Sequence, residues 1–287
     1  MNDICICCGF HGNWILAWNL PAFMFGKPFS ILKCSNCGLG KTDPLPETNA
    51  LYYEVNERYD SLFTTKRDLY LSFAKQLFKP LASIVKVPNG KRLLDIGCGG
   101  GFAVEYAASL GYVAEGIESN EGMVKWCQKR GLNVSKLDVM KMEIPPDRKF
   151  DVIVLSAILE HLEDPFSLLL HLQKKVVSHM GVILISQASY DGLLPRIFPW
   201  GWYGWQPKEH FWHFMPDSFS ALADRAGFNI VHLERDSLYH PWFMNKNIKD
   251  LFGRNLAAII ARLGLSIGMG DSFHAVIQPG DNISVER

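Results

Sequence analysis

The stretch LLDIGCGGG places an acidic residue directly before a cluster of glycines. Asp95 ends a short apolar run, and Gly97, Gly99 and Gly101 follow it, so the backbone can turn sharply and approach a ligand without hindrance from Cβ atoms. The dinucleotide-binding turn G-x-G-x-x-G requires a glycine where Phe102 stands. Asp95 would also repel a pyrophosphate, whereas it would attract a positively charged group. The loop therefore predicts a site for a cationic ligand.

Two more acidic residues follow the next apolar runs. VAEGIE ends at Glu118, at the spacing where doubly wound folds place a carboxylate against ribose hydroxyls. NVSKLD ends at Asp138, just before Val139, and a carboxylate there can accept a hydrogen bond from an adenine amino group. Each acid alone is also explained by helix capping or by solvation of a strand end. Together with the loop, they favour S-adenosylmethionine, which joins adenosine to a sulfonium and an amino group.

These motifs and FDVIVLSAILEHLEDP make residues 91–187 similar to the class I S-adenosylmethionine-dependent methyltransferases. The resemblance implies an enzyme that transfers a methyl group from S-adenosylmethionine. The residues it assigns to the cofactor are Asp95, Gly97, Gly99 and Gly101 for methionine and ribose, Glu118 for ribose, and Asp138 with Val139 for adenine.

Methyl transfer to a hydroxyl requires a group that removes the hydroxyl proton, and the segment SAILEHLEDP offers candidates. Glu160 and His161 follow the fourth apolar run, at the edge where ligands of open α/β sheets bind. We expect His161 to be the general base because the unperturbed pKa of histidine is close to neutrality, and His210 is a second candidate. The alternative is that Glu160 and His161 only cap or pack a helix.

The same segment is similar to that of the ubiquinone-pathway O-methyltransferases, in which acidic residues and the histidine are implicated in a divalent-cation site. In that pattern another glutamate stands three residues before the Glu-His pair, where this chain has Ala157. We therefore assign no catalytic metal from the sequence. The [DNS]-P-P-[FYW] tetrapeptide typical of amine and amide methylation does not follow the fourth run, which favours an oxygen acceptor.

Four of the seven cysteines form two C-x2-C pairs, each followed by a glycine. Cys5 with Cys8 and Cys34 with Cys37 supply the four thiolates that a tetrahedral structural zinc requires. Cys7 competes for the first pair, although its adjacency to Cys8 makes it a strained ligand. The alternative is free cysteines without metal. The odd count favours a reducing compartment, in which thiolates bind metal rather than form disulfides.

Two longer irregular segments, at about 190–216 and 240–272, are expected on the acceptor side. The first contains PRIFPWGWYGWQPKEHFWHF and is either a lid over an apolar acceptor or a self-packed loop. Its substrate candidates are Tyr203, Trp205 and His213. The second contains the amphipathic stretch KNIKDLFGRNLAAIIARLGLSIGMG, which rests either on the main domain or on a membrane surface. Peripheral membrane contact is a hypothesis for a lipid-linked acceptor.

Apolar runs that alternate with amphipathic stretches place these residues on a doubly wound α/β fold. We expect a mostly parallel seven-stranded sheet, the Rossmann-like methyltransferase fold, with a small zinc ribbon before it. The expected organisation is a zinc ribbon at 1–45, a helical lead-in at 46–90 and the methyltransferase domain at 91–287. The lead-in shows helical spacing, with one helix near 51–62 and another near 69–81.

The amino-acid composition limits the classes of binding partner that we expect for this protein. The 29 Lys and Arg residues balance 29 Asp and Glu residues, so a nucleic-acid substrate is disfavoured. No long apolar run and no signal pattern occur, and we expect a cytoplasmic protein. A ribbon before a methyltransferase domain resembles a bacterial group that modifies natural products and cell-surface sugars or lipids. We expect a small-molecule acceptor; the alternatives are an RNA methyltransferase and a non-catalytic cofactor-binding scaffold.

Overall fold

The computed structural model describes residues 4–46, 63–139, 148–175, 180–197, 199, 202–237 and 251–280. The strands are β1 (Trp14–Leu20), β2 (Phe29–Cys34), β3 (Gly40–Asp43), β4 (Arg92–Ile96), β5 (Val113–Glu118), β6 (Val134–Lys136), β7 (Val152–Ser156), β8 (Val182–Ala188), β9 (Trp212–His213), β10 (Phe228–Asp236) and β11 (Ser272–Pro279). The helices are α1 (Ala22–Phe25), α2 (Arg67–Phe78), α3 (Leu81–Ile84), α4 (Phe102–Ser109), α5 (Glu121–Lys129), α6 (Pro165–Gln173), α7 (Leu193–Ile197), α8 (Pro216–Arg225) and α9 (Leu251–Ser266).

The larger sheet has seven strands in the order β10-β11-β8-β7-β4-β5-β6. The chain runs outward from β4 through β5 to β6, then returns to place β7 and β8 on the other side of β4. The adjacent pairs from β8 to β6 are parallel, whereas β11 runs antiparallel to both β8 and β10. The doubly wound, mostly parallel sheet is therefore confirmed. Its strand order reverses between β4 and β7, where such folds bind ligands.

Central strands of this sheet are apolar runs because both of their faces are covered. Residues 152–155 of β7 and 182–185 of β8 are at most 1% exposed, and they form the core with β4 and β11. The position of β11 between β8 and β10 is not visible in the sequence, because the strand comes last in the chain and pairs with neighbours far away in it.

A smaller antiparallel sheet has the order β1-β2-β3-β9. Its first three strands come from the predicted ribbon, but β9 belongs to the aromatic segment after β8. Lys41 of β3 pairs with Trp212 of β9, and the Thr42 amide donates to the Phe211 carbonyl at 3.0 Å. The ribbon and the methyltransferase domain therefore share a sheet.

The expectation of an irregular segment at 240–272 is wrong for its second half, which contains the sixteen-residue helix α9. Ala257, Ile260 and Ala261 of α9 are buried in an apolar cluster that includes Leu194 and Trp202, because one face of the helix is apolar. The helix thus packs on the main domain, as one of the two alternatives held. In the lead-in, α2 begins at Arg67, and the helix expected near 51–62 lies outside the described residues.

Candidate active site

A cavity of about 430 Å³ opens at the carboxyl ends of β4, β7 and β8. Three stretches singled out from the sequence line it: the glycine loop after β4, the segment after β7, and the aromatic segment. Helix α2 and the start of α4 contribute apolar side chains to the same wall. The lining includes Asp95, Gly97, Gly99, Ser156, Glu160, His161, Ser186, Tyr203, Gln206, His210 and His274.

The glycine loop adopts backbone conformations that disfavour side chains. Gly97 has φ +68°, and a Cβ atom there would lie 2.2 Å from Ile158 Cδ1. Gly99 has φ +52°, and a Cβ atom there would meet nothing within 4 Å, so it would project into open space. Gly101, with φ +71°, precedes the first residue of α4 as its N-cap. The loop thus presents bare backbone and a helix N-terminus to the cavity.

Glu118, the last residue of β5, is hydrogen-bonded to this loop. Its Oε2 accepts a hydrogen bond from the Gly99 amide at 2.9 Å, and its Oε1 accepts one from the Asn120 amide at 2.8 Å. The side chain is buried, so its carboxylate orientation is fixed by these amides. The Ser119 hydroxyl also donates to Oε1, at 3.3 Å, so Oε2 is the oxygen that keeps a second lone pair for a ribose hydroxyl.

Asp138 and Val139 follow β6, and the neighbouring Leu137 amide donates to the Glu118 carbonyl at 3.0 Å. Asp138 is exposed and Val139 is half-buried at this edge of the sheet. Within the described part of the chain, Glu118, Gly101 and these two residues lie outside the lining of the cavity. Their contacts with ribose and adenine stay predictions.

Asp95 lines the cavity and is only 4% exposed. Burial raises the pKa of the Asp95 carboxyl to about 8, and the nearby charge of Glu118 adds to this shift. A carboxylate in such a place gains most from a cationic ligand, because the ligand would replace the lost solvation. The bare loop, the oriented Glu118 and the buried Asp95 therefore fit S-adenosylmethionine.

Glu160 and His161 lie in a single 3-10 turn after β7, at residues Leu159–His161. Glu160 Oε2 and His161 Nδ1 are buried and have no hydrogen-bond partner among the described residues. The His161 and His210 rings meet edge to face with centroids 4.6 Å apart. One donor atom from each of Glu160, His161 and His210 lies within 4.8 Å of the others, a set that a divalent cation would also accept. The structure thus brings the three predicted catalytic residues together.

Burial determines the charge states of this cluster. It raises the pKa of Glu160 above its usual range. It lowers the pKa of His210 well below its usual range, and the neighbouring imidazole rings of His161 and His213 add to that shift. His210 is therefore neutral, and because its Nδ1 lies 3.2 Å from the Gly204 carbonyl, which can only accept, the proton is on Nδ1. Its Nε2 is left with a free lone pair.

The backbone before this turn is strained. Ala157 has φ +54°, a left-handed conformation that is uncommon for a residue with a Cβ atom. Its amide donates to the Ser186 carbonyl at 2.9 Å, which fixes the exit of the chain from β7. Such strain is often found at functional sites, and here it directs Glu160 and His161 toward the cavity.

The aromatic segment divides into lining and supporting residues. Tyr203 lines the cavity beside Gln206 and His210. Trp205 and His213 are buried and pack on each other with ring centroids 5.0 Å apart. Within the described residues these two lie outside the cavity lining, so the structure places them behind the wall.

Sequence reasoning missed His274, Ser156 and Ser186, which line the same cavity. Ser156 ends β7 and Ser186 lies two residues before the end of the parallel strand β8, and a polar residue near a strand end could have indicated them. His274 lies in the last strand, and nothing in its sequence neighbourhood indicates a site.

The four predicted zinc ligands converge in the ribbon. The Cys5 and Cys37 sulfur atoms are 3.5 Å apart, the Cys8 and Cys34 sulfur atoms are 3.9 Å apart, and all four lie within 4.8 Å of one another. A tetrahedral zinc with Zn–S bonds of about 2.3 Å spaces its sulfur atoms by about 3.8 Å, so the residues fit this ion. Cys7 is buried and lies outside this set of described cysteines.

A family model described as a methyltransferase domain matches residues 67–233, more than half of the chain. The chain therefore belongs to the methyltransferase-domain family. With the loop and cavity above, it is an S-adenosylmethionine-dependent methyltransferase, as the sequence predicted.

Among curated relatives, the chain is similar to the ubiquinone biosynthesis O-methyltransferase of Dinoroseobacter shibae, with 27% identity over 183 residues, 58% of this chain and 72% of that protein. The protein of the same name from a Ruegeria species is 28% identical over 175 residues, 56% of this chain and 69% of that protein.

Solved structures share the fold. An S-adenosylmethionine-dependent methyltransferase from Archaeoglobus fulgidus has a TM-score of 0.54 at 20% identity and covers 76% of this chain and 99% of its own. The magnesium protoporphyrin IX methyltransferase from Synechocystis, solved with bound S-adenosylhomocysteine, has a TM-score of 0.51 at 15% identity and covers 79% of this chain and 89% of its own.

Proposed function

We propose that the protein transfers the methyl group of S-adenosylmethionine to a hydroxyl of a small molecule: a metabolite, a sugar or a lipid-linked intermediate. The observation that carries the proposal is the cluster of Glu160, His161 and His210 in the wall of the cofactor cavity, since oxygen methylation needs a proton acceptor. The names of the two O-methyltransferase relatives support an oxygen acceptor.

Bound S-adenosylmethionine supplies an activated methyl group on a positively charged sulfur. Asp95 and the glycine loop hold the methionine end, and Glu118 holds the ribose. Asp138 and Val139 complete the adenine side. The buried cavity walls exclude water and align the acceptor oxygen with the methyl group, which is the main requirement of an in-line displacement.

His161 removes the hydroxyl proton as the oxygen attacks. Glu160 stabilises the positive charge that His161 then carries. The neutral His210 ring packs edge to face against the His161 ring, with centroids 4.6 Å apart. Tyr203 contacts the acceptor from the aromatic segment. Trp205 and His213 act from behind this wall and position it.

Zinc holds the ribbon together through Cys5, Cys8, Cys34 and Cys37, and its role is structural because four protein ligands leave no open position. Among the described residues no helix is both long and apolar enough to cross a membrane. Contact with a membrane surface through α9 is a proposal for a lipid-linked acceptor only, and liposome flotation at low salt tests it.

The test is turnover with matched acceptors. We would incubate the protein with S-adenosylmethionine and with phenol, sugar and aniline acceptors, and quantify S-adenosylhomocysteine by mass spectrometry. We expect turnover of hydroxyl acceptors and a fall in kcat of roughly a hundredfold for His161→Gln, with unchanged cofactor affinity. His11→Gln, at an exposed ribbon position, is the control. Turnover of aniline but not of any hydroxyl acceptor would contradict the proposal.

A further inference from the structure

A buried histidine that lines the cavity and a half-buried carboxylate lie together across two antiparallel strands. His274 of β11 is 1% exposed and lines the cavity. Its Nε2 lies 2.8 Å from Oδ2 of Asp236 on β10. Gln76 Nε2 of α2 donates to the same oxygen at 2.5 Å, and the Ser237 amide donates to Asp236 Oδ1 at 2.7 Å. Neither the base cluster nor the cofactor loop uses this pair.

These hydrogen bonds fix the tautomer of His274. The pKa of Asp236 is lowered: burial opposes its ionisation, but the hydrogen bonds from His274 and Ser237 outweigh burial. An ionised carboxylate can only accept, so His274 Nε2 carries a proton, and in the neutral ring the lone pair is then on Nδ1. This Nδ1 atom is buried without a hydrogen-bond partner among the described residues. A buried acceptor without a partner costs free energy until a ligand supplies a donor.

Neighbouring strands of the large sheet connect His274 to the glycine loop. His274 is directly opposite Ser186 of β8, and Ser186 is opposite Ser156 of β7. β7 in turn neighbours β4, whose Asp95 starts the glycine loop. Adjacent strands are about 4.8 Å apart, so His274 lies about three strand spacings from Asp95 along the sheet.

Tyr203, which lines the same cavity as His274, has three acidic residues near it. Burial raises the pKa of the Tyr203 hydroxyl well above its usual range, and the charges of Asp271, Asp236 and Glu160 raise it further. A carboxylate or phosphate on the acceptor would be repelled there, whereas a hydroxyl or N–H group would be attracted.

We infer that His274, oriented by Asp236, is an acceptor-binding subsite that takes a second hydrogen-bond donor of the methyl acceptor, an O–H or N–H group remote from the oxygen that is methylated. This inference rests on the proposed function for the identity of the reaction. It makes the acceptor a molecule with at least two donor groups and no anionic group at its far end.

The tautomer is tested without any acceptor. We would record 15N NMR spectra of histidine-labelled full-length protein loaded with S-adenosylhomocysteine, with His274→Leu to assign the signal. The wild type should show Nε2–H and unprotonated Nδ1. In Asp236→Asn, the Ser237 amide keeps the amide oxygen at the Oδ1 position, so the amide NH2 takes the Oδ2 position, faces His274 Nε2, and the ring proton should move to Nδ1. A wild-type ring protonated on Nδ1 would overturn the inference.

Binding tests the subsite itself. Calorimetry of the same complex with a dihydroxybenzene and with its monomethyl ether should show about tenfold tighter binding of the diol to the wild type, the scale of one hydrogen bond to a charged pair. His274→Leu and Asp236→Asn should each lose this preference, because a ring with its proton on Nδ1 can donate to a hydroxyl and to an ether oxygen alike, and His232→Gln on the neighbouring strand should retain it. Equal binding of the two compounds, or binding of neither, would overturn the inference. Failure of every hydroxyl acceptor to be methylated would instead contradict the proposed function.

Discussion

Glu118 is the residue on which the cofactor loop depends most directly. Its carboxylate accepts hydrogen bonds from two backbone amides, those of Gly99 and Asn120, so replacing it removes the proposed ribose ligand and also loosens the loop. We expect Glu118→Ala to weaken S-adenosylmethionine binding by about 1–3 kcal/mol, the scale for a lost charged hydrogen-bond partner. Calorimetry measures this, and Glu121→Ala, three residues away on the exposed start of α5, should bind normally. Unchanged affinity in Glu118→Ala would mean that the ribose is held elsewhere.

Asp95 couples cofactor binding to pH. Its folded-state pKa of about 8 exceeds the ordinary value of 3.8, so the free protein retains a proton that the unfolded chain releases, and stability falls as pH rises from 3.8 to about 8. Asp95→Asn removes this loss. We expect the free variant to be more stable than the wild type near pH 8, yet to bind S-adenosylhomocysteine more weakly.

Thermal unfolding at about pH 6 and about pH 8, with and without S-adenosylhomocysteine, measures both effects. The ligand should raise the melting temperature of the wild type more at the higher pH, because the carboxylate form of Asp95 that pairs with the ligand costs least free energy to populate there. Parallel pH profiles for the wild type and Asp95→Asn would show that Asp95 is not the titrating group.

Individual residues were predictable where a motif surrounds them. Asp95, Gly97 and Gly99 were found from the loop that contains them, and Glu160 and His161 from the segment after β7. His274 was not, because its role comes from Asp236 and Ser186, which approach it only across strands in the folded sheet. Trp205 and His213 were expected at the acceptor, but composition cannot distinguish a lining aromatic ring from one that packs behind it.

Strand β3 carries the connection between the ribbon and the active-site wall. Thr42 is fully buried, and its hydroxyl donates to the His210 carbonyl at 2.6 Å. Because that donation uses its only proton, the hydroxyl accepts from His213 Nε2, 3.0 Å away. Burial lowers the pKa of His213 to about 3, so this ring is neutral and its tautomer is fixed by Thr42.

We expect Thr42→Val to lower the free energy of unfolding by about 1–3 kcal/mol, because it leaves a buried carbonyl and a buried N–H without partners. Thr42→Ser retains the hydroxyl and is the matched control. Denaturant unfolding followed by tryptophan fluorescence measures the difference. Equal destabilisation by both variants would assign the effect to the lost methyl group or to packing instead of the hydrogen bonds.

The cysteine knuckles were predictable in full, since their spacing and glycines are local. The Gly9 and Gly38 amides donate to the Cys5 and Cys34 carbonyls at 2.8 and 3.0 Å and close the two turns. The pairing of β3 with β9 was not predictable, because β9 has two residues and lies far along the chain.

Cys34→Ser should release zinc and destabilise the ribbon, because the remaining three thiolates bind the ion less tightly. The zinc content, measured by mass spectrometry, should fall. The cofactor affinity, measured by calorimetry, should stay close to the wild-type value. Cys7→Ala should retain zinc, because Cys7 lies outside the four-sulfur set. Zinc loss in Cys7→Ala, or full zinc retention in Cys34→Ser, would contradict the assigned ligands.

For the molecule as a whole, alternation of strands and helices was enough to predict the doubly wound sheet. It could not predict that β11 lies between β8 and β10, since the sequence of a strand does not specify its neighbours. The shared sheet makes the ribbon part of the wall that carries Phe211, whose amide donates to the Glu160 carbonyl at 2.8 Å. The glycine loop and the aromatic segment are thus distant parts of the chain that meet at one cavity.

Isothermal titration of the full-length protein with S-adenosylmethionine, S-adenosylhomocysteine and NADH is the measurement that tests this assignment most directly. We expect saturable binding of the first two ligands and none of NADH, because the loop joins a buried acid to a turn that lacks the third dinucleotide glycine. Binding of NADH, or binding of none of the three, would contradict the assignment of the cavity to S-adenosylmethionine.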